Sequence, residues 1–307
     1  MFDRIAISWK LVKMSLSVLA ANPKLLLFPA ATGTLTIVIG LLFAAPIAFQ
    51  PTQHSYASAE HWKSVGNSLI VTTEPTARDR AKGRDRSMRL SGQGMSYFVL
   101  FYLLSLFLAT FFNVAFVHEV FDALDGNNVS VAEGLTFALS KLMPILLWTL
   151  CAGVVGLVIK ALEKKLEKWL VRSIGLAWSV AVIFVVPVLV VEEVPTPLDA
   201  LKRSAALIRK TWGEALVGYA GLQLGAIGMA ISGVWLIGMA VFIRQFTDAA
   251  FPFVVMFLTW LIAAVAFSYA MGVAEVIYLC ALYRFATTGQ LVGGLTPETV
   301  KAGWRLK

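Results

Sequence analysis

Charge is excluded from six long stretches of this chain, and the polar positions fall almost entirely between them. The stretches run from Leu25 to Ala59, Leu90 to Val117, Leu142 to Ile159, Ser173 to Val191, Ala215 to Ile243 and Ala249 to Ala274. Each holds the roughly 17–25 largely apolar residues that a helix needs to cross hydrocarbon. The runs are apolar on every side, so the pattern predicts six transmembrane helices. The Leu142 and Ser173 runs are the shortest, and a buried or re-entrant helix is the alternative for one of them. A β-barrel is excluded, because barrel strands alternate apolar and polar positions over about ten residues. The expected fold class is therefore all-α, a polytopic transmembrane helical bundle. It forms a single integral membrane domain over residues 1–307, with a long polar and basic loop at 50–94 inserted between spans one and two.

Between the runs the period changes. Leu198, Leu201, Ala205, Ile208, Trp212 and Ala215 recur every three or four residues, with Asp199, Lys202, Arg203, Arg209 and Lys210 largely opposite, which predicts an amphipathic helix lying in the interface. Ile5, Trp9, Val12, Leu16 and Leu19 make the same stripe before span one, and Val131, Leu135, Ala138 and Leu142 a weaker one before span three. Asn22-Pro23, Met143-Pro144 and Trp212-Gly213 stand near the three junctions from surface helix to span. The pattern suggests three helix-plus-hairpin units whose surface helices share one face of the bilayer; chance recurrence of amphipathic entry segments is the alternative.

Composition agrees with this reading. Hydrophobic residues make up 58% of the chain and charged residues 14%, against roughly 45–50% and about 25% for a soluble protein. The first 24 residues do not read as a signal peptide, since Lys10 and Lys13 interrupt the place of an apolar core, so a retained amino terminus is expected. Cys151 and Cys280 fall inside predicted spans as small apolar fillers. Lysine and arginine should concentrate on the cytoplasmic side, yet six spans divide the 26 of them thirteen against thirteen. Charge counting therefore gives no orientation. The 50–94 loop carries Arg78, Arg80, Lys82, Arg84, Arg86 and Arg89 around Asp79 and Asp85 with few apolar anchors. It reads as a solvated, mobile segment, with anionic headgroups or acidic partners as candidates and no nucleic acid expected, because interleaved aromatics are lacking.

Few residues offer chemistry. Pro187 lies within span four, where it removes a backbone donor and kinks the helix. Glu192 and Glu193 mark the exit of that span, and an interfacial turn held by Lys202 or Arg203 is the expected role. His118 and Glu119 follow span two, with Asp122 and Asp125 nearby. Adjacent residues on a helix do not share a face, so capping and headgroup roles are expected there rather than a metal site. Glu275 follows 26 charge-free residues. Either it lies well inside the bilayer, where an acid points to transport or assembly, or it ends the span beside an anchor of Tyr278, Tyr283 and Arg284. Gly153, Gly156, Gly221, Gly225, Gly228, Gly233 and Gly238 permit close helix approach without telling whether the partner is intramolecular. No catalytic constellation and no cofactor or metal site emerges, so no enzyme is expected.

The segments SWKLVKMSLSVLAANPKLLLFP, GLAWSVAVIFVVPVLVVEEV, DALKRSAALIRKTWGEAL and ALYRFATTG together resemble a poorly characterised family of prokaryotic six-span membrane proteins. The resemblance covers most of the chain except the long loop, and Trp178, Pro187, Glu192, Ala200, Ser204, Trp212, Gly213, Tyr283 and Gly289 are the positions it carries across. It implies an inner-membrane, multi-pass protein with both termini cytoplasmic, and no catalytic role. The functional expectation is a homo-oligomeric channel or transporter-like protein. A membrane scaffold or assembly factor binding lipid or a protein is the alternative, and a membrane enzyme acting at headgroup level comes third. The candidate functional residues are Glu275, Glu192, His118 and Glu119. Trp9, Lys202, Arg203, Arg209, Lys210 and Trp212 are the interfacial ones, facing anionic headgroups.

Overall fold

A computed structural model describes residues 13–73, 87–163, 166–244 and 251–288. Trp9 and the loop residues Arg78, Arg80, Lys82, Arg84 and Arg86 lie outside the described residues. So do the side chains of Arg89, Lys210 and Trp212, whose backbones are placed.

The chain opens with a helix over residues 13–21, α1, and a 3-10 turn at Pro23–Leu26. It continues through α2 (Leu27–Ala48), α3 (Ala59–Leu69), β1 (Ile70–Thr73), β2 (Ser87–Leu90) and α4 (Gly92–Leu124). Then come α5 (Val131–Ser140), α6 (Leu142–Leu162), α7 (Lys168–Ala181), α8 (Val185–Val191), α9 (Pro197–Arg244) and α10 (Phe251–Thr288). Among the described residues, five helical stretches are long and apolar enough to cross a membrane: Pro23–Ala48, Gly94–Leu124, Leu142–Leu162, Lys168–Val191 and Phe253–Thr288. The expected fifth run lies within α9, where only the apolar part Ile227–Ile243 has described side chains. The chain is thus an all-α, multi-span helical membrane bundle, with one short antiparallel hairpin pairing Ile70 with Leu90 and Thr73 with Ser87.

Burial is concentrated at one end of the bundle. The core gathers Leu19, Leu25 and Phe28, then Val114 to Leu124, Ala138 and Ile145, Val185 to Val190, Ala200 to Ile208, and Val273 to Ala286. At the opposite end Leu41, Leu42, Val154, Val158, Val234, Trp235, Phe251 and Ile262 stand exposed, as expected of side chains that face acyl tails. Lipid tails are as apolar as leucine, so packing and polar ties rather than water exclusion must hold such helices together. Glycines supply the close packing. A Cβ at Gly153 would fall 2.6 Å from Leu103 Cδ2, one at Gly156 would fall 2.5 Å from the Tyr102 hydroxyl, and one at Gly233 would strike the Trp260 ring. These three glycines therefore admit neighbours from the same chain, whereas Gly228 and Gly238 face open space.

Three expectations need correction. The surface helix at 198–215 does not break at Trp212-Gly213; it is the first part of α9, which runs unbroken from Pro197 to Arg244. Nor does its expected stripe face lipid. Ala200, Ser204, Leu207 and Ile208 are buried against the protein while Leu198 is exposed, so the packed face is displaced by one residue, about 100° around the axis. α8, placed directly before α9, offers an apolar wall that the sequence period cannot reveal. The described ends of the 50–94 insertion are also structured rather than loop: α3, β1 and β2 occupy them, and His61 is fully buried, while residues 74–86 lie outside the described residues. A His61 ring nitrogen lies 2.8 Å from the Ala48 carbonyl and the other contacts Thr52.

Span four is broken where proline chemistry requires it. Residues 182–184 leave the helix because Pro187 has no N–H and its ring crowds the carbonyl four residues earlier, that of Ile183. The freed Phe184 N–H donates to the Ser204 hydroxyl at 3.0 Å, with Ser204 fully buried. An intramembrane backbone group is thus satisfied by a neighbouring helix. Where α4 ends, Gly126 adopts φ +82°, a left-handed conformation suited to glycine, and turns the chain toward α5.

The seat of α5 is tight enough to test. A Cβ at Gly134 would lie 2.8 Å from Glu119 Cγ and 2.9 Å from the Ala115 carbonyl oxygen, whereas one at Gly175 meets nothing within 4 Å. Gly134→Ala is expected to destabilise the protein by about 1–3 kcal/mol through overpacking. Gly175→Ala is expected to be neutral or slightly stabilising. Thermal unfolding in detergent checks both, and equal melting temperatures for the two variants would contradict the packing account.

Candidate functional site

The packed end carries a network of polar side chains from five elements. Glu192, just past α8, accepts from Arg203 Nε at 2.9 Å on each carboxylate oxygen and from the Tyr283 hydroxyl at 2.8 Å on Oε1. One acid therefore ties the exit of span four to the first turns of α9 and the last turns of α10. Tyr283 is itself buried, its ring edge-on to Phe121 of α4 and to Phe184. Beside it Arg284 makes a two-pronged ion pair with Asp125 at the end of α4. The expectation that Lys202 or Arg203 holds the acidic turn is resolved in favour of Arg203. Lys202 lies 3.9 Å from Asp199 instead, and Arg209 is exposed on the outer side of α9.

Glu119 and His118 do more than end a span. Glu119 is fully buried, and its Oε2 accepts from the Ser130 N–H at 2.6 Å, fixing the start of α5, where the Ser130 hydroxyl accepts from the Glu133 N–H. A buried carboxylate at a helix N-terminus is favoured by the orphan N–H groups there. His118 stacks on Phe137 with centroids 3.9 Å apart and sits 3.6 Å from Asp122. The expectation that His118 and Glu119 cannot serve one site is corrected. Ligand atoms of His118, Glu119 and Asp122 all lie within 4.8 Å of one another, because Asp122 is one turn on and the two adjacent side chains flank it. A nitrogen and two carboxylates form a donor set of the type that holds divalent first-row cations. Half of Glu119, however, is already engaged in capping.

Glu275 is half-buried on α10, and among the described residues it has no hydrogen-bond or ion-pair partner. Two cavities flank the neighbouring Val276. One, about 460 Å³, is also lined by Thr110, Asn113, Trp148, Trp178 and Cys280. The other, about 560 Å³, is lined by Thr32, Gly33, Asn113, Ser268 and Gly272. Asn113, in the middle of an apolar helix, is shared by both and is exposed. A third cavity of about 410 Å³ lies by Glu192, Glu193 and Lys141.

Sequence reasoning missed the Asp125–Arg284 pair and the position of Asn113 on the wall of two cavities. The first joins residues 159 positions apart, and no local pattern reports that. Asn113 is legible in the sequence as the lone amide between Met95 and Val117. The chemistry assembled here is that of binding and bracing, with Glu192 as the shared acceptor. Arg203→Ala is expected to cost about 1.5–3 kcal/mol, the range for a hydrogen bond to a charged group. Combined with Glu192→Gln it should cost less than the two single changes summed, by about 0.5–3 kcal/mol. A double-mutant cycle of unfolding free energies in detergent measures this, and strict additivity would contradict the shared-acceptor account.

No curated protein and no solved structure matches the chain. A family of unknown function (DUF6159) matches residues 93–293, from the start of α4 to just beyond α10 and more than half of the chain; the protein belongs to that family.

Proposed function

We propose that this protein is a homo-oligomeric channel or transporter-like protein of the prokaryotic inner membrane, crossing it six times with both termini cytoplasmic. Six crossings are supported by the order of buried segments. Residues 19–28, 114–148, 185–208 and 273–286 all reach the same packed end, and in each of the three intervals between these visits the chain travels out along one apolar helix and back along the next. α1, α5 and the first turns of α9 all stand at that end, which supports three helix-plus-hairpin units.

The observation that carries the transport reading is Glu275. Nine residues separate it from Arg284, about 14 Å along the helix, and it stands next to Val276, which lines both cavities with Asn113. An acid and an amide at one level of the bundle, each without a hydrogen-bond partner among the described residues, are costly in hydrocarbon. They are accounted for if a water-filled path or a second subunit reaches them. A proton or small cation is the species such a carboxylate selects. A scaffold is the second reading, favoured by the broad exposed apolar surface of α9 and α10 between Ile227 and Val265.

Reconstituted wild-type and Glu275→Gln proteins should differ in cation or proton flux by about tenfold or more, the factor that about 1.4 kcal/mol of lost stabilisation produces. Oligomer recovery in detergent should be the same for both. Equal flux and equal pH response in the two proteins would remove Glu275 from function, and absence of wild-type flux across cations and potentials would favour the scaffold.

A further inference from the structure

The cavity of about 410 Å³ beside Glu192 has charges of both signs on its wall that do not neutralise one another. Lys141, at the junction of α5 and α6, is half-buried, and among the described residues its ammonium makes no ion pair, resting 5.8 Å from the centre of the Phe137 ring. Across the cavity are Glu192 and Glu193. Glu192 is saturated by Arg203 and Tyr283, which leaves Glu193, exposed and with no partner among the described residues, as the free carboxylate. Pro144, Leu189 and Val194 form an apolar floor.

We infer that this cavity binds the headgroup of a zwitterionic phospholipid bearing a primary ammonium, with the phosphate at Lys141 and the ammonium at Glu193. A lone anion would be repelled by the free carboxylate of Glu193 and a lone cation by the lysine, whereas a dipolar ion satisfies both ends. The phosphate position has a second source of attraction. α6 begins at Leu142 with no side-chain cap, and its first intrahelical bond to a residue before the helix is from the Ile145 N–H to the Lys141 carbonyl. The N–H groups of Leu142 and Met143 therefore lie free at a positive helix end. The source is a lipid rather than a soluble zwitterion because Leu142, Met143 and Val191, adjacent in the chain to the lining residues Lys141, Pro144 and Glu192, stand exposed, as do Leu139 and Leu146. They offer acyl chains a path down the outside of α6 and α8. The inference does not depend on conduction, and the lipid-retention experiment below reads it independently of flux.

Full-length protein in detergent, incubated with equal amounts of phosphatidylethanolamine and phosphatidylglycerol of identical acyl chains, can be analysed by native mass spectrometry for retained lipid. The wild type is expected to keep phosphatidylethanolamine over phosphatidylglycerol by about fivefold, the size expected of one part-exposed ion pair. Glu193→Gln should bring the ratio close to one, Lys141→Ala should lower retention of both lipids, and Lys202→Ala, on the outer face of α9, should change neither. Glu193 is exposed, so its substitution is expected to leave the melting temperature unchanged. A wild-type ratio of one or less, or an unchanged ratio in Glu193→Gln, would overturn the assignment. So would competition by tail-free phosphoethanolamine at concentrations equal to the lipid, which would identify a soluble ligand instead.

Discussion

The carboxylate of Glu192 is the point on which the packed end of this protein depends. It joins the end of span four, the first turns of α9 and the last turns of α10, by two contacts from Arg203 and one from Tyr283. Each partner is oriented by further packing: Tyr283 by Phe121 and Phe184, and Arg203 by a helix face whose Ser204 caps the break made by Pro187. In hydrocarbon an unsatisfied backbone or side-chain group is far more costly than in water. The kink and the Ser204 bond therefore depend on each other, and the Glu192 network holds the same turns of α9 at the exit of the span.

The asymmetry between the two ends follows from the solvent. Where the helices are surrounded by acyl chains, apolar side chains gain little by turning inward, and the segments around Val234, Phe251 and Ile262 stay exposed. Where the chain re-enters the headgroup region, polar side chains can pair without full desolvation. There the structure spends Glu119 on α5, Asp125 on Arg284 and Glu192 on Arg203. Function is expected where this division is broken, at the acid and amide that lie among apolar helices rather than at the paired end.

Much of this organisation was legible in the sequence, for physical reasons. Spans are read from the absence of charge, since the cost of a charge in hydrocarbon is large and local. The break in span four follows from one proline, and the capping role of Glu119 from its place just before a turn. What the sequence did not disclose depends on contacts between distant segments. The inward face of α9 is set by α8, so the expected stripe of Leu201, Ala205 and Ile208 meets the buried face of Ala200, Ser204 and Leu207 fully only at Ile208. The partner of Arg284 lies in another helix, and the burial of His61 depends on the carbonyl of Ala48. Adjacent residues do not share a helix face, yet His118 and Glu119 both come near Asp122, because neighbouring side chains can converge on a third one turn away.

The central claim is that every polar turn of the packed end lies on one side of the membrane and every turn of the exposed end on the other. In a background lacking Cys151 and Cys280, single cysteines at Asn128, Ser140 and Thr196 probe the first set, and those at Ser55 and Glu167 the second; all five positions are exposed. A membrane-impermeant thiol reagent applied to sealed vesicles of known orientation should label the first three from one side only and the last two from the opposite side only. Labelling of Asn128 and Ser55 from the same side would contradict the account.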